Sequence, residues 1–379
     1  MTEKENKNLM IIAGEVSGDL HGSLLVRELK KMENGLNIYG IGGDRMKAEG
    51  MELIYHINKM AFLGFAEVIK HFPFIKRVQS DLIAIIKEKK IKNIVLIDYP
   101  GFNLNFAKKL KALNLTVIYY ISPQIWAWGA SRIKKIKNLV NKMIVVFPFE
   151  EKFYKDADIN VEFVGHPLIE RINEYEFLTR EELFNKFDLN KSKDILLVLP
   201  GSRLHEVERI FPESIKAAEK VAGEFNLQIV IAGSSNISED IYNRLSNIKE
   251  KKIITGYTYE LMRYSKIGII KSGTSTLESA LFTLPMVIVY KTGLITYSIG
   301  KKLVKVKNIG MANIIAGEKV VPELIQNEAN AESIYTECKK ILSDERLYKS
   351  IKQKLSSVKS KLGAERASQK AAGLIYSMM

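Results

Sequence analysis

Short apolar runs recur along this chain, and most are followed by a polar turn and then a segment of helical period. The first series has runs at residues 9–13, 36–41, 94–98, 116–121, 143–147 and 161–164. Helix-like segments such as 20–31, 74–90 and 106–112 fall between them. After a charged, loop-like stretch at 170–193, a second series begins, with runs at 195–199, 228–232, 252–255, 267–270 and 286–290. Strands that alternate with helices are joined by crossovers rather than hairpins, which builds parallel sheets from βαβ units. Two such series predict an α/β protein of two Rossmann-like domains facing one another, over residues 1–168 and 169–349. At 379 residues there is chain enough for two cores. The last stretch, 331–379, is polar with a helical pattern.

Composition narrows the chemistry. Cys338 is the single cysteine, which excludes a disulfide framework and a thiolate metal site. Five histidines without close pairing argue against a zinc centre, so no metal is expected. The N-terminus is polar and leads straight into a strand, and no window approaches the ~18 apolar residues of a spanning helix. A cytosolic protein is expected. The net charge of +14 then requires an anionic partner: nucleic acid, an anionic membrane surface or an anionic small substrate. Nucleic acid ranks low, because the charge is scattered and no reader motif accompanies it.

In parallel sheets, ligands gather beyond the carboxyl ends of the strands. After the first run stands G-E-V-S-G-D-L-H-G, carrying Glu15, Ser17, Gly18, Asp19 and His21. Its glycines do not fit G-x-G-x-x-G, which argues against a dinucleotide cofactor. Close packing of helix on strand accounts for the glycines, but less well for two carboxylates and a histidine together. Asp98 ends the third run: it either caps the next loop or stands as a general base on a rigid strand. The fourth run leads into S-P-Q-I-W-A-W, where Gln124, Trp126 and Trp128 either plug the core or wall a pocket. His166, in G-H-P after the sixth run, is either a ligand contact or a satisfied residue between domains.

The second series carries two turns of one kind. P-G-S-R at 200–203 places Gly201, Ser202 and Arg203 between a strand and a helix. K-S-G-T-S-T-L-E at 271–278 does the same with Ser272, Gly273 and Thr274, and Glu278 lies about one helical turn further on. Glycine permits a sharp turn and close approach of a ligand, and a helix N-terminus favours phosphate. Arginine adds a bidentate, always-charged partner, so two such turns favour a pyrophosphate over a surface ion pair. Glu278 either completes a capping box or accepts hydrogen bonds from a sugar's two hydroxyls. Tyr257, in G-Y-T-Y-E-L-M after the third run of this series, is positioned to frame a base. Asn313 reads only as a polar residue among apolar ones.

Together these motifs resemble the lipid-A-disaccharide synthase family, glycosyltransferases of the two-domain GT-B type. The matching stretches are G-E-V-S-G-D at 14–19, I-D-Y-P-G-F-N at 97–103, S-P-Q-I-W-A-W at 122–128, F-V-G-H-P at 163–167, L-P-G-S-R-x-x-E at 199–206, S-G-T-S-T-L-E at 272–278 and N-I-I-A-G at 313–317. They occur in family order over most of the chain. Lys271 departs from the pattern, since this position is often a small residue in the family, and the high lysine content is not a family trait.

The resemblance implies inverting, metal-independent transfer of 2,3-diacylglucosamine from its UDP ester to 2,3-diacylglucosamine 1-phosphate, with no cofactor. It implies an acceptor domain rejoined by helices from about 350 to 379, a donor domain, and a donor contact from Asn313. Asp98 is the first choice for base and Glu15 the second, with Ser17, Gly18, Asp19, His21, Gln124, Trp126 and His166 around the acceptor. Nearer rivals are other UDP-sugar enzymes of the same architecture, a peptidoglycan-type glucosaminyltransferase or a UDP-sugar epimerase. A homodimer is the remaining partner considered.

Residues 60–78 are rich in phenylalanine and leucine and punctuated by Lys70, Lys76 and Arg77. They read either as helices covering the sheet or as a peripheral membrane contact through Phe62, Leu63, Phe65, Phe72 and Phe74. Lysines at 134, 135, 137, 301, 302, 305 and 307 add basic surface suited to anionic lipid.

Overall fold

The computed structural model describes residues 7–60, 72–126, 132–293, 297, 308–363 and 366–379. The chain forms two compact units, residues 1–171 with 362–379, and residues 172–361. The return to the first unit thus begins at Leu362, later in the chain than the expected 350.

The first unit is a seven-stranded parallel sheet of β1 (Asn8–Ala13), β2 (Asn37–Gly42), β3 (Glu52–His56), β4 (Asn93–Ile97), β5 (Thr116–Tyr120), β6 (Lys142–Val145) and β7 (Val161–Phe163). Their order is β3-β2-β1-β4-β5-β6-β7. Strand β3 was not anticipated: its E-L-I-Y-H pattern is half-buried at the sheet edge, so it lacks a continuous apolar run. Around the sheet lie α1 (Val16–Met32), α2 (Asp44–Ala48), α3 (Phe72–Glu88), α4 (Pro100–Ala112), α5 (Ile133–Leu139), α6 (Pro148–Lys155) and α7 (Pro167–Asn173). Central strands such as β4 are buried at every position, as a sheet covered on both faces requires.

The second unit has six parallel strands, β8 (Asp194–Leu199), β9 (Leu227–Gly233), β10 (Lys251–Thr255), β11 (Ser265–Lys271), β12 (Met286–Tyr290) and β13 (Glu323–Ile325), in the order β10-β9-β8-β11-β12-β13. Three residues of β13 are too few for a periodic signal. Its helices are α8 (Arg180–Lys186), α9 (Leu204–Phe225), α10 (Glu239–Arg244), α11 (Thr258–Tyr264), α12 (Thr274–Leu281), α13 (Met311–Ala316), α14 (Ala331–Ser343) and α15 (Glu345–Lys361).

The last helix, α16 (Ala367–Tyr376), packs on α1 of the first unit. The returning chain is tied in by His166 N donating to Leu362 O at 3.0 Å and by Ser368 N donating to the Glu170 carboxylate at 3.1 Å.

Each sheet has one topological switch point, where successive connections leave in opposite directions along the sheet and open a crevice. In the first unit it lies between β1 and β4, and in the second between β8 and β11. These four strands are the ones whose following turns carry the G-E-V-S-G-D, D-Y-P-G-F-N, P-G-S-R and S-G-T-S-T motifs.

Candidate active site

In the first unit, Ala13 pairs with Ile97, which sets Gly14 and Asp98 side by side beyond the sheet. Gly14 must be glycine, because a Cβ there would stand 2.1 Å from the Tyr99 ring. Asp98 and Tyr99 both adopt left-handed backbone, with φ of 42° and 46°. Each such non-glycine residue costs of order 1–3 kcal/mol and persists only where its surroundings hold it. Here the hold is explicit. Asp98 N donates to Tyr120 O at 3.2 Å, and Asp98 O accepts from the Tyr119 hydroxyl at 2.5 Å and from Asn103 Nδ2 at 2.8 Å. The Tyr99 hydroxyl donates to Met60 O at 2.9 Å.

The backbone is therefore clamped just beyond β4, beside the switch point. Burial pushes the Asp98 pKa up from 3.8 to about 7, the charge of Glu15 pushes it the same way, and the Tyr99 N–H opposes both. Glu15 itself is exposed at the N-cap of α1. Ser17 is exposed beside it, and Gly18 lets α1 lie close against Ala13 and Ile97.

Two expected cleft residues behave differently. Asp19 is buried, and its carboxylate accepts from Gly43 N at 2.6 Å, Met46 N at 3.1 Å and Arg45 N at 3.4 Å. It satisfies the otherwise unpaired N–H groups that open α2, so its lone pairs are occupied by the fold. His166 is likewise anchored: Nδ1 accepts from Leu168 N at 3.1 Å. Its ring lies 5.9 Å from that of His21, edge to face. Burial lowers the His21 pKa to about 4, with a smaller push from Arg171, and burial then His21 hold His166 well below the usual imidazole range. Both rings are neutral near pH 7.

The loop after β5 places Gln124 in solvent and Trp126 half-buried, while Trp128 lies outside the described residues. Trp126 is held by a residue outside the motifs, Glu150. Glu150, 1% exposed, accepts from Ser122 Oγ at 2.6 Å, Trp126 Nε1 at 2.9 Å and Phe147 N at 3.3 Å. Burial raises its pKa to about 7, against hydrogen bonds from Ser122, Trp126 and the Phe147 and Val146 backbone. The available signal was a glutamate in the first turn of a helix opened by Pro148.

In the second unit, Ile270 pairs with Leu199, so the turns after β8 and β11 are neighbours. Gly201 has φ +121°, and a Cβ on it would come 2.7 Å from Glu206 Oε2. Ser202 and Arg203 are exposed at the start of α9. Glu206 Oε1 lies 3.8 Å from Arg203 Nη1 and 2.7 Å from Lys271 Nζ. Neither the P-G-S-R-x-x-E spacing nor the position of Lys271 in sequence signals this ion pair.

Around the second turn the hydroxyls divide. Ser272 Oγ donates to Ile309 O at 3.1 Å, and Thr276 Oγ1 donates to Gly273 O at 2.8 Å while accepting from Met311 N at 3.1 Å. Both serve the fold. Thr274 is exposed at the first position of α12, after Gly273 at φ +155°. Glu278 is half-buried one turn in and accepts from the Tyr259 hydroxyl at 3.1 Å. Tyr257 is half-buried after β10, where Lys186 Nζ donates to its hydroxyl at 2.5 Å.

Asn313 does not reach the crevice. It is fully buried, and Nδ2 donates to Val321 O and Glu323 Oε1 while Oδ1 accepts from Val320 N and Val321 N, all at 2.8–3.0 Å. An amide has two donors and room for two acceptors' bonds, so no capacity is left for a donor sugar. Glu323 also accepts from Ile309 N and Gly310 N, and the two side chains together fasten α13 to β13.

Of the expected membrane contacts, Phe62, Leu63 and Phe65 lie outside the described residues. Phe72 is 52% exposed, with Lys76 Nζ 4.8 Å above its ring. Phe74 instead turns inward and packs edge to face on Tyr55 at 5.9 Å. Among the described residues no helix is long and apolar enough to cross a membrane.

The chain is 40% identical over 377 residues to the lipid-A-disaccharide synthase of Geobacter metallireducens, covering 99% of this chain and 98% of the relative. It is 41% identical over 376 residues to that of Trichlorobacter lovleyi, covering 98% of each. Among solved structures, a UDP-GlcNAc 2-epimerase from Neisseria meningitidis bound to UDP-GlcNAc superposes with a TM-score of 0.69 at 13% identity, over 98% of this chain and 100% of that one. A calicheamicin glycosyltransferase does so with a TM-score of 0.62 at 12% identity, over 98% of each. At such identities the likeness is one of fold, two parallel α/β domains of the GT-B class. Residues 9–378 match the profile of lipid-A-disaccharide synthetase. The chain belongs to that family, and its activity is the glycosyl transfer that makes the lipid A disaccharide.

Proposed function

We propose that the transfer moves 2,3-diacylglucosamine from its UDP ester to the 6-hydroxyl of 2,3-diacylglucosamine 1-phosphate, with the acceptor on the first unit and the donor on the second. The observation that carries this reading is Asp98, a carboxyl at a switch point, on clamped left-handed backbone, titrating at about 7. A base whose pKa lies near the working pH combines a large deprotonated fraction with real proton affinity. Asp98 takes the proton of the attacking hydroxyl as its oxygen bonds to the donor's anomeric carbon. The bond from that carbon to the diphosphate breaks on the opposite face, and UDP leaves with the electron pair. One displacement inverts the anomeric configuration and yields the β-1,6 link.

Charge that develops on departing UDP is met by Arg203 and by the N–H groups that open α12. Glu278 takes the ribose hydroxyls and Tyr257 frames the base. On the first unit Ser17, Gln124 and Trp126 line the acceptor's path, with His21 and His166 as neutral imidazoles behind them. Because acyl chains keep both substrates in a bilayer, the enzyme works at the cytoplasmic face of the inner membrane as a peripheral protein. Exposed Phe72 with Lys76 supports that docking.

The deciding experiment is Asp98→Asn. It keeps shape but takes no proton, so turnover should fall by ~10²–10⁴-fold while calorimetric UDP binding is unchanged. Turnover within a few-fold of the parent would pass the role to Glu15 or to the acceptor's own phosphate.

A further inference from the structure

Lys271 is the last residue of β11, with its neighbour Ile270 paired to Leu199. Its side chain keeps only 17% of its surface exposed, and its ammonium sits 2.7 Å from Glu206 Oε1. The same ammonium lies 3.6 Å from where a Cβ on Gly273 would stand, so it lies against the turn that opens α12. From the other side Arg203, at the N-cap of α9, approaches the same carboxylate oxygen at 3.8 Å. Two cations therefore converge on one oxygen, between the N-termini of two helices whose dipoles add positive potential. Among the described residues Glu206 is the one carboxylate within 4.0 Å of either cation. The group as a whole keeps one net positive charge in a half-desolvated place, where charge interactions are strong.

We propose that Lys271 is a binding residue for the diphosphate of the donor, taking a phosphoryl oxygen beside Arg203 while Glu206 holds both cations in position. This rests on the reading that the second unit binds the nucleotide end of the donor. A lysine here needs no rearrangement of the turn, because Ser272 and Thr276 already fix the backbone through Ile309, Gly273 and Met311.

The test is calorimetric titration of UDP and of UMP, which lacks the second phosphoryl group, into the full chain and four variants. Lys271→Met should weaken UDP roughly 10- to 100-fold, the scale of one lost charge-assisted hydrogen bond, and change UMP far less. Lys271→Arg should retain most of the affinity. Removing the lysine alone also unmasks Glu206, so the charge-neutral double variant Lys271→Met with Glu206→Gln separates the two causes. If the lysine touches the diphosphate, the double variant stays weak. If it only neutralises Glu206, the double variant binds UDP like the parent, and the proposal is overturned, as it is if Lys271→Met alone has no effect. Arg203→Ala reports on the underlying reading. A weakened Arg203→Ala with an unaffected Lys271→Met rejects the lysine only, whereas a parent that does not bind UDP, or an Arg203→Ala that binds it like the parent, rejects the nucleotide site and the lysine with it. Circular dichroism confirms that each variant is folded.

Discussion

Glu15→Gln tests the electrostatics of the base without removing it. Asp98 titrates at about 7 rather than 3.8, with burial the larger cause and the Glu15 charge the smaller. Glu15 supplies the lesser part of that rise, through the repulsion of its charge, after burial. Catalysis needs the deprotonated carboxylate, so the parent's rate should climb with pH through about 7. In Glu15→Gln that acidic limb should move to lower pH, by less than the whole rise because burial remains, with the plateau rate above it close to the parent's.

Stability should follow the same linkage with the opposite benefit. A carboxyl whose pKa is raised on folding contributes most stability when protonated, below 3.8, and loses it as pH rises through about 7. The variant relieves part of that loss, so its melting temperature relative to the parent should be higher at pH 8 than at pH 5. The assay is a pH–rate profile under kcat/KM conditions, paired with thermal melts at both pH values. An unmoved limb would show that Glu15 does not act on the group that titrates. A 10²-fold loss across the whole profile would make Glu15 the base and refute the assignment to Asp98.

Asn313→Ala should destabilise the chain by about 2 kcal/mol or more, because it leaves buried N–H groups of Val320 and Val321 without partners. The check is the urea midpoint, and UDP affinity of the folded fraction should be unchanged. Changing Phe62, Leu63, Phe65 and Phe72 to Ser should reduce co-sedimentation with anionic vesicles, and the parent's binding should weaken as salt rises over the Debye range. A folded variant that sediments like the parent would remove this segment from the membrane account.

Much of the architecture was legible because it rests on local signals. Continuous apolar runs mark strands buried on both faces, and β1, β4, β8 and β11 are such strands. A turn motif after each also marks a strand's carboxyl end, which is where a parallel sheet opens its crevice. That is why Asp98, Gly201, Arg203 and Gly273 could be singled out by position alone. The half-buried edge strand β3 and the three-residue β13 left no such pattern.

What the sequence could not decide was which polar side chains were already occupied. Asp19, Ser272 and Asn313 are the kinds of residue that bind ligands, and all three stand within motifs of the site. Only the packed fold shows Asp19 capping α2, Ser272 bonded to Ile309, and Asn313 saturated by β13 and the segment before it. Hydrogen-bond capacity is finite, and it is allotted by residues distant in sequence. The converse holds for Glu150, Tyr119 and Asn103, ordinary in sequence, which hold Trp126 and the strained backbone of Asp98. The pKa of Asp98 belongs to the same class, since burial and a neighbouring charge exist only once β1 and β4 lie side by side. Residue type and spacing determined where chemistry could occur. Tertiary structure decided which groups were left free to perform it, because desolvation and pairing are properties of the packed chain.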